Sequence, residues 1–523
     1  MNYEDLFRVT LPEKALEVAA LLVLVVDLGF LRKAALKLRL AVAALLGVAG
    51  CGAALLALQL QGAAWLSFGQ SGESTLLGTG GFIAVAQTGI LVLTALTLLL
   101  LFDQVFTRHV GEYVAVVLMA AAGALLVASA QDLLVIFIGL ELMSLGLYIL
   151  TAFAKSSGKS AEAALKYYLF GGMSAAFLLF GFSYFYGLSG TTNLALIQYR
   201  ISLSGPSPLF YVAWILVVAG LGFKIAAVPF HLWAPDTYEG APAPAAAFVA
   251  SVSKVASFAL LITLSMNWWL RPSGNLAVEG YSLEQILRGY YHTWPQLANI
   301  LLVASAASMV VGNLAALAQV SVRRLLAYSA IAHAGYILLG IAAHPAYAGQ
   351  GSALALHASN FYPALRSMES VLFYVLTYGL TTIGAFGVVA VVERATGSDR
   401  MDAFLGLHKR NPVLAGVLLV LLLSLAGIPP LVGFWAKFNL FSAVLGESAG
   451  VVPFSLVALA IALSAVSLYY YLQVLKRAYV MPAVDETPIK AHPVTLAVLV
   501  GIAAAVVVLG CFPVLLGRWI EGF

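Results

Sequence analysis

Four ionisable residues interrupt stretches of sequence that are otherwise apolar, and they are the residues of this chain best suited to chemistry. Glu141 stands in the run Gly-Leu-Glu-Leu-Met-Ser, and each of three further apolar runs contains one lysine: Lys224, Lys254 and Lys437. One acid and three bases inside a membrane can pass protons to one another, which we take as their function. A buried ion pair that fixes packing is the alternative for Glu141 with Lys224, and Lys254 could instead line a water pocket.

Two histidines are weaker candidates. His231 follows Lys224 by seven residues, and His333 lies in the run Tyr-Ser-Ala-Ile-Ala-His. Imidazole changes charge near neutral pH, so either residue could shuttle protons between a lysine and water. A hydrogen bond that joins two helices is the alternative for both. Asp236 and Glu239 lie among turn-forming residues, and for that segment we favour a rigid connection at the membrane surface over a direct role in proton transfer.

Prolines break two of the apolar runs close to these lysines. Pro229 follows Lys224 by five residues, and Gly427-Ile-Pro429-Pro430 interrupts the run that contains Lys437. Proline removes a backbone N–H and disrupts a helix, and unpaired backbone at membrane depth is tolerated only beside a cavity or against protein. Two such breaks five spans apart indicate two inverted repeats of five helices. Simple kinks in two packed helices are the alternative.

Composition places these residues in a membrane. The 523 residues are 62 % hydrophobic and only 10 % charged, and the mean hydropathy is +0.98. A soluble globule is excluded, because this much apolar surface exceeds what one core can bury. Two cysteines in apolar segments exclude a disulfide framework and a cysteine-rich metal site. The net charge of +4 is dispersed in loops and does not indicate nucleic-acid binding.

The apolar runs predict an all-α polytopic membrane protein of about fourteen transmembrane helices with two discontinuous helices. The predicted spans are 14–31, 37–60, 80–102, 112–129, 132–153, 166–188, 209–230, 242–265, 297–317, 324–342, 370–392, 412–442, 452–475 and 492–516. We divide the chain into an N-terminal three-helix segment (1–111), a first five-helix repeat (112–265), a second repeat with outer loops (266–475) and a C-terminal helix (476–523).

Orientation follows from the basic residues. Of the 27 Lys and Arg residues, 17 fall in loops that follow odd-numbered spans, 7 fall on the other side and 3 lie within spans. The positive-inside rule therefore predicts that both termini face outward.

The sequence resembles a known family, the antiporter-like membrane subunits of respiratory complex I, the proton-pumping NADH:quinone oxidoreductase, and is most similar to those of N type. The resemblance is carried by residues 222–244, which include Pro-Phe-His-Leu-Trp-Ala-Pro-Asp-Thr-Tyr-Glu-Gly-Ala-Pro, and by residues 324–333 and 424–434. It implies that Glu141 and Lys224 form an acid–lysine pair, that Lys254 is a connecting lysine and that Lys437 exchanges protons with the outer side.

The resemblance also implies partners. It implies that FMN, iron–sulfur clusters and quinone belong to other subunits, since this chain has no dinucleotide, Walker or zinc-type motif. The implied neighbours are an M-type antiporter-like subunit and small K/J-type subunits, in the cell inner (plasma) membrane. The rival functions are a subunit of a multisubunit cation/proton antiporter or of a membrane-bound hydrogenase, a stand-alone secondary transporter, and a structural scaffold.

Overall fold

The protein is a bundle of long apolar helices in the computed structural model, which describes residues 3–61, 65–68, 74–104, 106–267, 283–342, 361–447, 451–483 and 485–522. Within these residues, twelve helices are long and apolar enough to cross a bilayer, and two shorter apolar helices, Pro412–Ala426 and Val432–Gly446, occupy the predicted twelfth span. The prediction of an all-α polytopic membrane protein is confirmed. The total of fourteen spans and the inverted repeats stay predictions.

The described helices are numbered in chain order. They are α1 (Tyr3–Val9), α2 (Leu11–Val25), α3 (Leu36–Gln61), α4 (Gly81–Leu99), α5 (Val110–Ser129), α6 (Leu133–Thr151), α7 (Gly158–Ser189), α8 (Leu194–Ser204), α9 (Pro208–Ile225), α10 (Trp233–Gly240), α11 (Ala243–Asn267), α12 (Leu283–Leu317), α13 (Val322–Ala342), α14 (Phe361–Thr396), α15 (Leu407–Arg410), α16 (Pro412–Ala426), α17 (Val432–Glu447), α18 (Val451–Tyr479), α19 (Pro493–Cys511) and α20 (Val514–Glu521).

Local sequence sets where many of these helices begin. The Asp132 carboxylate accepts from the Leu134 N–H at the start of α6, and Asn411 accepts from Leu414 at the start of α16. Such side chains satisfy N–H groups that have no partner within the helix. A proline follows the cap at the start of α16, where its missing N–H costs nothing.

Both predicted helix breaks are present, and they share one backbone pattern. The residues that follow the last residues of α9 and α16, Ala226 and Gly427, have left-handed φ values of 59° and 89°. In both, the next N–H bonds to a carbonyl five residues back, from Ala227 to Gly222 at 2.8 Å and from Ile428 to Leu423 at 3.0 Å. This pattern closes a helix end and satisfies two of its free carbonyls.

Three helices form the centre of the bundle. In α11, α13 and α14, nearly every described side chain is buried, whereas α3, α7 and α18 bury only one face. Helix α11 packs against α14, and α13 packs against α12 and α14. The fold therefore places Lys254 on α11 and His333 on α13 away from lipid.

Two features differ from the sequence prediction or go beyond it. A β-hairpin of β1 (Trp65–Phe68) and β2 (Ser74–Gly78) was not predicted. The first predicted span is made of α2 and the π-helical turn Val26–Phe30 that continues it. The long outer loops expected near 266–296 and 343–369 lie largely outside the described residues.

Candidate functional site

Lys224 lies in the last turn of α9 and is buried. Its ammonium group donates a hydrogen bond to the Ser144 hydroxyl of α6 at 2.5 Å. The Tyr148 and Phe223 rings flank the same nitrogen at 5.8 Å and 5.4 Å. Aromatic faces attract a cation electrostatically. The pocket can therefore hold a charged lysine with very few protein hydrogen bonds.

Glu141 does not touch Lys224. Among the described residues, neither side chain takes part in an ion pair within 4.0 Å, so the buried ion pair that the sequence left open is absent there. Ser144, three residues further along α6, is the residue of that helix that accepts a hydrogen bond from Lys224.

Glu141 is half-buried because it belongs to the outward stripe of α6. The neighbours along this stripe are at least half exposed and apolar: Leu134, Ile138, Leu145 and Ile149. A helix places residues three and four apart on one face, so the carboxylate lies in the middle of an apolar surface. A charged group directed at lipid is costly, which indicates that another protein surface covers this stripe.

Lys254 lies at the centre of the bundle on α11 and is buried. Its ammonium group donates to the backbone carbonyl of Ala330 on α13 at 2.8 Å and lies 5.8 Å from the centre of the Tyr378 ring on α14. The Lys254 ammonium group is therefore bonded to a neutral carbonyl. It takes part in no ion pair among the described residues. The structure brings Lys254 close to His333, three residues after Ala330 on α13.

Aromatic rings join Lys254 to Lys437 through His333. The His333 ring is 4.8 Å from Tyr378 and 5.8 Å from Tyr336, centre to centre, and the ammonium group of Lys437 is 5.5 Å from Tyr336. The Nδ1 atom of His333 is hydrogen-bonded to the Tyr374 hydroxyl at 2.8 Å. His333 is thus held between the two lysines, and its Tyr374 bond is also the helix-bridging bond of the alternative interpretation.

Lys437 of α17 binds the end of α16 at the second helix break. Its ammonium group donates to the carbonyls of Leu425 at 3.0 Å and Ala426 at 2.9 Å, and to the Ser464 hydroxyl of α18 at 2.8 Å. The two carbonyls belong to the last turn of α16, whose partial negative charge favours a cation. The Lys437 ammonium group is therefore held by polar groups of two helices, α16 and α18.

His231 does not belong to the row formed by Lys254, His333 and Lys437. It lies in the segment between α9 and α10, is half-buried, and its Nδ1 atom has no hydrogen-bond partner within the described part of the chain. The structure does not bring it into hydrogen-bonding contact with Lys224.

Four ion pairs join α10 to α7 and α13. Asp236 of α10 pairs with Lys166 of α7 at 2.7 Å and with Arg324 of α13 at 2.6 Å, and Glu239 pairs with Arg324 at 3.0 Å and Lys159 at 3.1 Å. Burial alone would raise the pKa of Asp236 and of Glu239, but the hydrogen bonds from these cations outweigh it and hold both pKa values below the usual range. These ion pairs agree with the predicted rigid connection around Asp236 and Glu239.

These ion pairs predict a pH dependence of stability. A carboxylate whose pKa falls on folding stabilises the fold above its unfolded pKa, and this is lost as pH falls through the folded value. We expect the melting temperature to stay level down to the ordinary values of 3.8 for Asp236 and 4.5 for Glu239, and to fall in more acidic buffer. Asp236→Asn should flatten that fall, while Glu162→Gln, which removes a pair within α7, should leave it. An equal acid response in the two variants would contradict the assignment.

The sequence analysis missed Ser144, Tyr336 and Tyr378. Serines and tyrosines are common in membrane helices, so no pattern marked these three; only packing shows that each contacts a buried lysine. Within the described residues, no group of three or more His, Cys, Asp or Glu residues could hold a metal ion.

Comparisons with known proteins agree on one family. Residues 130–365 and 360–464 match the family described as NADH:quinone oxidoreductase/Mrp antiporter, transmembrane. The NADH-quinone oxidoreductase subunit N 2 of Acidobacterium capsulatum is 46 % identical over 531 aligned positions, which cover 100 % of this chain and 99 % of the relative.

Solved structures share the fold. A chain of respiratory complex I from Thermus thermophilus is 32 % identical with a TM-score of 0.73, covering 97 % of this chain and 98 % of that one. A chain of the Mrp complex from Dietzia sp. has a TM-score of 0.75 at 20 % identity, covering 99 % and 96 %, and shows likeness of fold alone. The fold is therefore shared between two kinds of complex.

Proposed function

Because this chain belongs to the family of N-type membrane subunits of NADH:quinone oxidoreductase, we propose that it moves protons across the membrane through Glu141, Lys224, Lys254 and Lys437. One observation carries this proposal: three buried lysines without ion pairs among the described residues, two of them joined by His333 and its flanking tyrosines. Buried lysines without a counter-ion change protonation readily, since lysine is a strongly hydrated cation that loses solvation on burial.

The proton moves along the row of side chains formed by Lys254, His333 and Lys437. Lys254, once neutral, accepts a proton, and His333 relays it toward Lys437, with the Tyr378 and Tyr336 rings stabilising each cation. Lys437 then releases the proton toward the outer side. Lys224 and Lys254 share no hydrogen-bond partner and no aromatic ring among the described residues, so water completes that step.

Glu141 acts as the switch for Lys224. When its carboxylate is near, the lysine keeps its proton; when a charge change in the neighbouring subunit draws the carboxylate outward, the proton moves on. Its place on the apolar outward stripe of α6 supports this, because a partner that covers the stripe meets the carboxylate directly. We assign that partner to the small K/J-type subunits and place the M-type subunit beyond the Lys437 end. FMN, iron–sulfur clusters and quinone then supply the redox chemistry in other subunits.

Purification from native membranes tests the assignment to a complex. A large assembly that contains flavin and iron–sulfur polypeptides and this chain is the expected result. Recovery of this chain with antiporter subunits only, or as a lone transporter, would contradict the assignment to a complex and favour the rival functions. The alternative of a cation/proton antiporter subunit rests on the shared fold and on the family that both kinds of complex share.

We place the protein in the bacterial inner membrane with both termini on the periplasmic side. In a chain without Cys51 and Cys511, we expect cysteines at Gly522 and at Lys33 to react with a membrane-impermeant thiol reagent from opposite faces. The excess of basic residues near Lys33 is the physical reason. Reaction of both from one face would overturn the fourteen-span arrangement.

A further inference from the structure

Asn313 is a fully buried amide in the membrane-spanning part of α12. Its Nδ2 atom donates to the Tyr336 hydroxyl of α13 at 3.0 Å and to the Met309 carbonyl of its own helix at 2.8 Å. Its Oδ1 atom accepts from the Tyr470 hydroxyl of α18 at 3.2 Å. The Met309 carbonyl can only accept, so it fixes which end of the amide is the nitrogen. Burying an amide is costly unless it is hydrogen-bonded, and both polar atoms of this one are.

Two glycines let α12 and α13 approach closely beside these hydrogen bonds. A Cβ atom at Gly312 would lie 2.5 Å from the backbone nitrogen of Ala332, and one at Gly335 would lie 2.8 Å from the backbone nitrogen of Met309. Neither position has room for a side chain, and small residues of this kind bring membrane helices into contact. The asparagine and the tyrosine follow these two glycines directly in sequence. The helix pair therefore fixes the distance at which the amide meets the hydroxyl.

The Tyr336 ring is the group that this hydrogen bond orients. The ring centre lies 5.5 Å from the ammonium nitrogen of Lys437. The ring also packs against Phe441, one turn further along α17, with 6.0 Å between ring centres. An aromatic ring attracts a cation through its face and not through its edge, so the tilt of the ring decides how much it stabilises the charged lysine. A hydrogen bond at the hydroxyl restrains that tilt.

We propose that Asn313 is a positioning residue for Lys437, which holds the Tyr336 ring against the ammonium group by bonding the tyrosine hydroxyl. Tyr470 fixes the orientation of the amide from the opposite side. The inference rests on the proposed function of Lys437 and adds to it a residue that itself carries no proton. An amide side chain does not titrate, so Asn313 acts only through the geometry of Tyr336.

Asn313→Leu tests this role in the assembled complex, because leucine is close to asparagine in size and forms none of these hydrogen bonds. We expect pumping in reconstituted vesicles to fall several-fold. A ring that is free to tilt stabilises the charged lysine less, so the alkaline limb of the pH profile of pumping should move to lower pH by about half a unit. Tyr336→Phe keeps the ring and loses only the hydroxyl, and should give the same two changes.

The double variant Asn313→Leu/Tyr336→Phe tests whether the two residues act through one bond. Each single variant already removes the hydrogen bond between them, so the double variant should pump no worse than the weaker single variant. Independent effects on pumping would multiply instead. A loss in the double variant equal to the product of the two single losses would overturn the proposal.

Ser367→Ala is the matched control for a lost buried hydrogen bond. The Ser367 hydroxyl of α14 is buried and donates to the Gly340 carbonyl of α13 at 3.1 Å, and this variant should keep the parental pH profile. Parental pumping in Asn313→Leu and Tyr336→Phe, or a loss that is equal at every pH, would overturn the positioning role. If Lys437→Ala pumps poorly in the same assay, the proposed function stands without it. Normal pumping in Lys437→Ala would overturn both.

Discussion

Lys224→Arg is expected to assemble like the parent and to lose coupled proton translocation in reconstituted vesicles. Arginine keeps the positive charge, the hydrogen-bond donors for Ser144 and the ring contacts with Tyr148 and Phe223. It is not deprotonated in proteins, whereas lysine is able to release its proton. Because one positioned proton-transfer group contributes about 10²–10⁴-fold to rate, pumping should fall by about 10²-fold or more.

Two controls separate this loss from misassembly. Electron transfer from NADH to a soluble acceptor, which bypasses the membrane subunits, should be unchanged in Lys224→Arg. Lys159→Arg makes the same exchange at an exposed ion pair with Glu239 and should pump normally. Parental pumping in Lys224→Arg would make Lys224 a structural cation only, and the switch would have to lie elsewhere.

Lys437→Ala is expected to give an assembled complex that pumps poorly, and Lys437→Glu should retain more activity. Alanine leaves the Leu425 carbonyl without its donor, at a cost of about 1–3 kcal/mol for an unpaired buried group, and removes the titrating group. A protonated glutamate can donate to this carbonyl and can still exchange a proton.

The difference between the two Lys437 variants tests whether a titrating side chain is needed at this position. Both remove the lysine, so a loss that follows from the missing ammonium group alone would be equal in the two. A larger loss in Lys437→Ala, at equal amounts of assembled complex, indicates that a titrating group is needed. Normal pumping in Lys437→Ala would refute the assignment of Lys437 as the outward exchange residue.

The helices could be predicted because their signals are local. Runs of about 20 apolar residues and the prolines at both breaks are read within one segment of sequence, and Pro229 and Pro430 lie three residues after Ala226 and Gly427, where α9 and α16 end. The hairpin of β1 and β2 could not be predicted in this way, since its pairing depends on a short connection outside the apolar pattern.

The candidate site was harder to predict because it depends on how helices pack. Sequence identified the three lysines, yet the separation of Glu141 from Lys224 follows from the rotation of α6, which turns Glu141 outward and Ser144 inward. The two lysines also sit differently relative to the two helix breaks. Lys224 lies two residues before the left-handed residue of its break, and Lys437 lies ten residues after Gly427, so they do not occupy equivalent positions.

The most direct test of the proton path is an experimental density map of the assembled complex at a resolution that shows ordered water. The proposal requires water between Lys224 and Lys254, since no described side chain bridges them, and requires Lys254, His333 and Lys437 to remain in one line. We predict a chain of waters at hydrogen-bonding distances from the Lys224 ammonium group to that of Lys254. A gap filled by apolar side chains, with no water between the two lysines, would contradict the account.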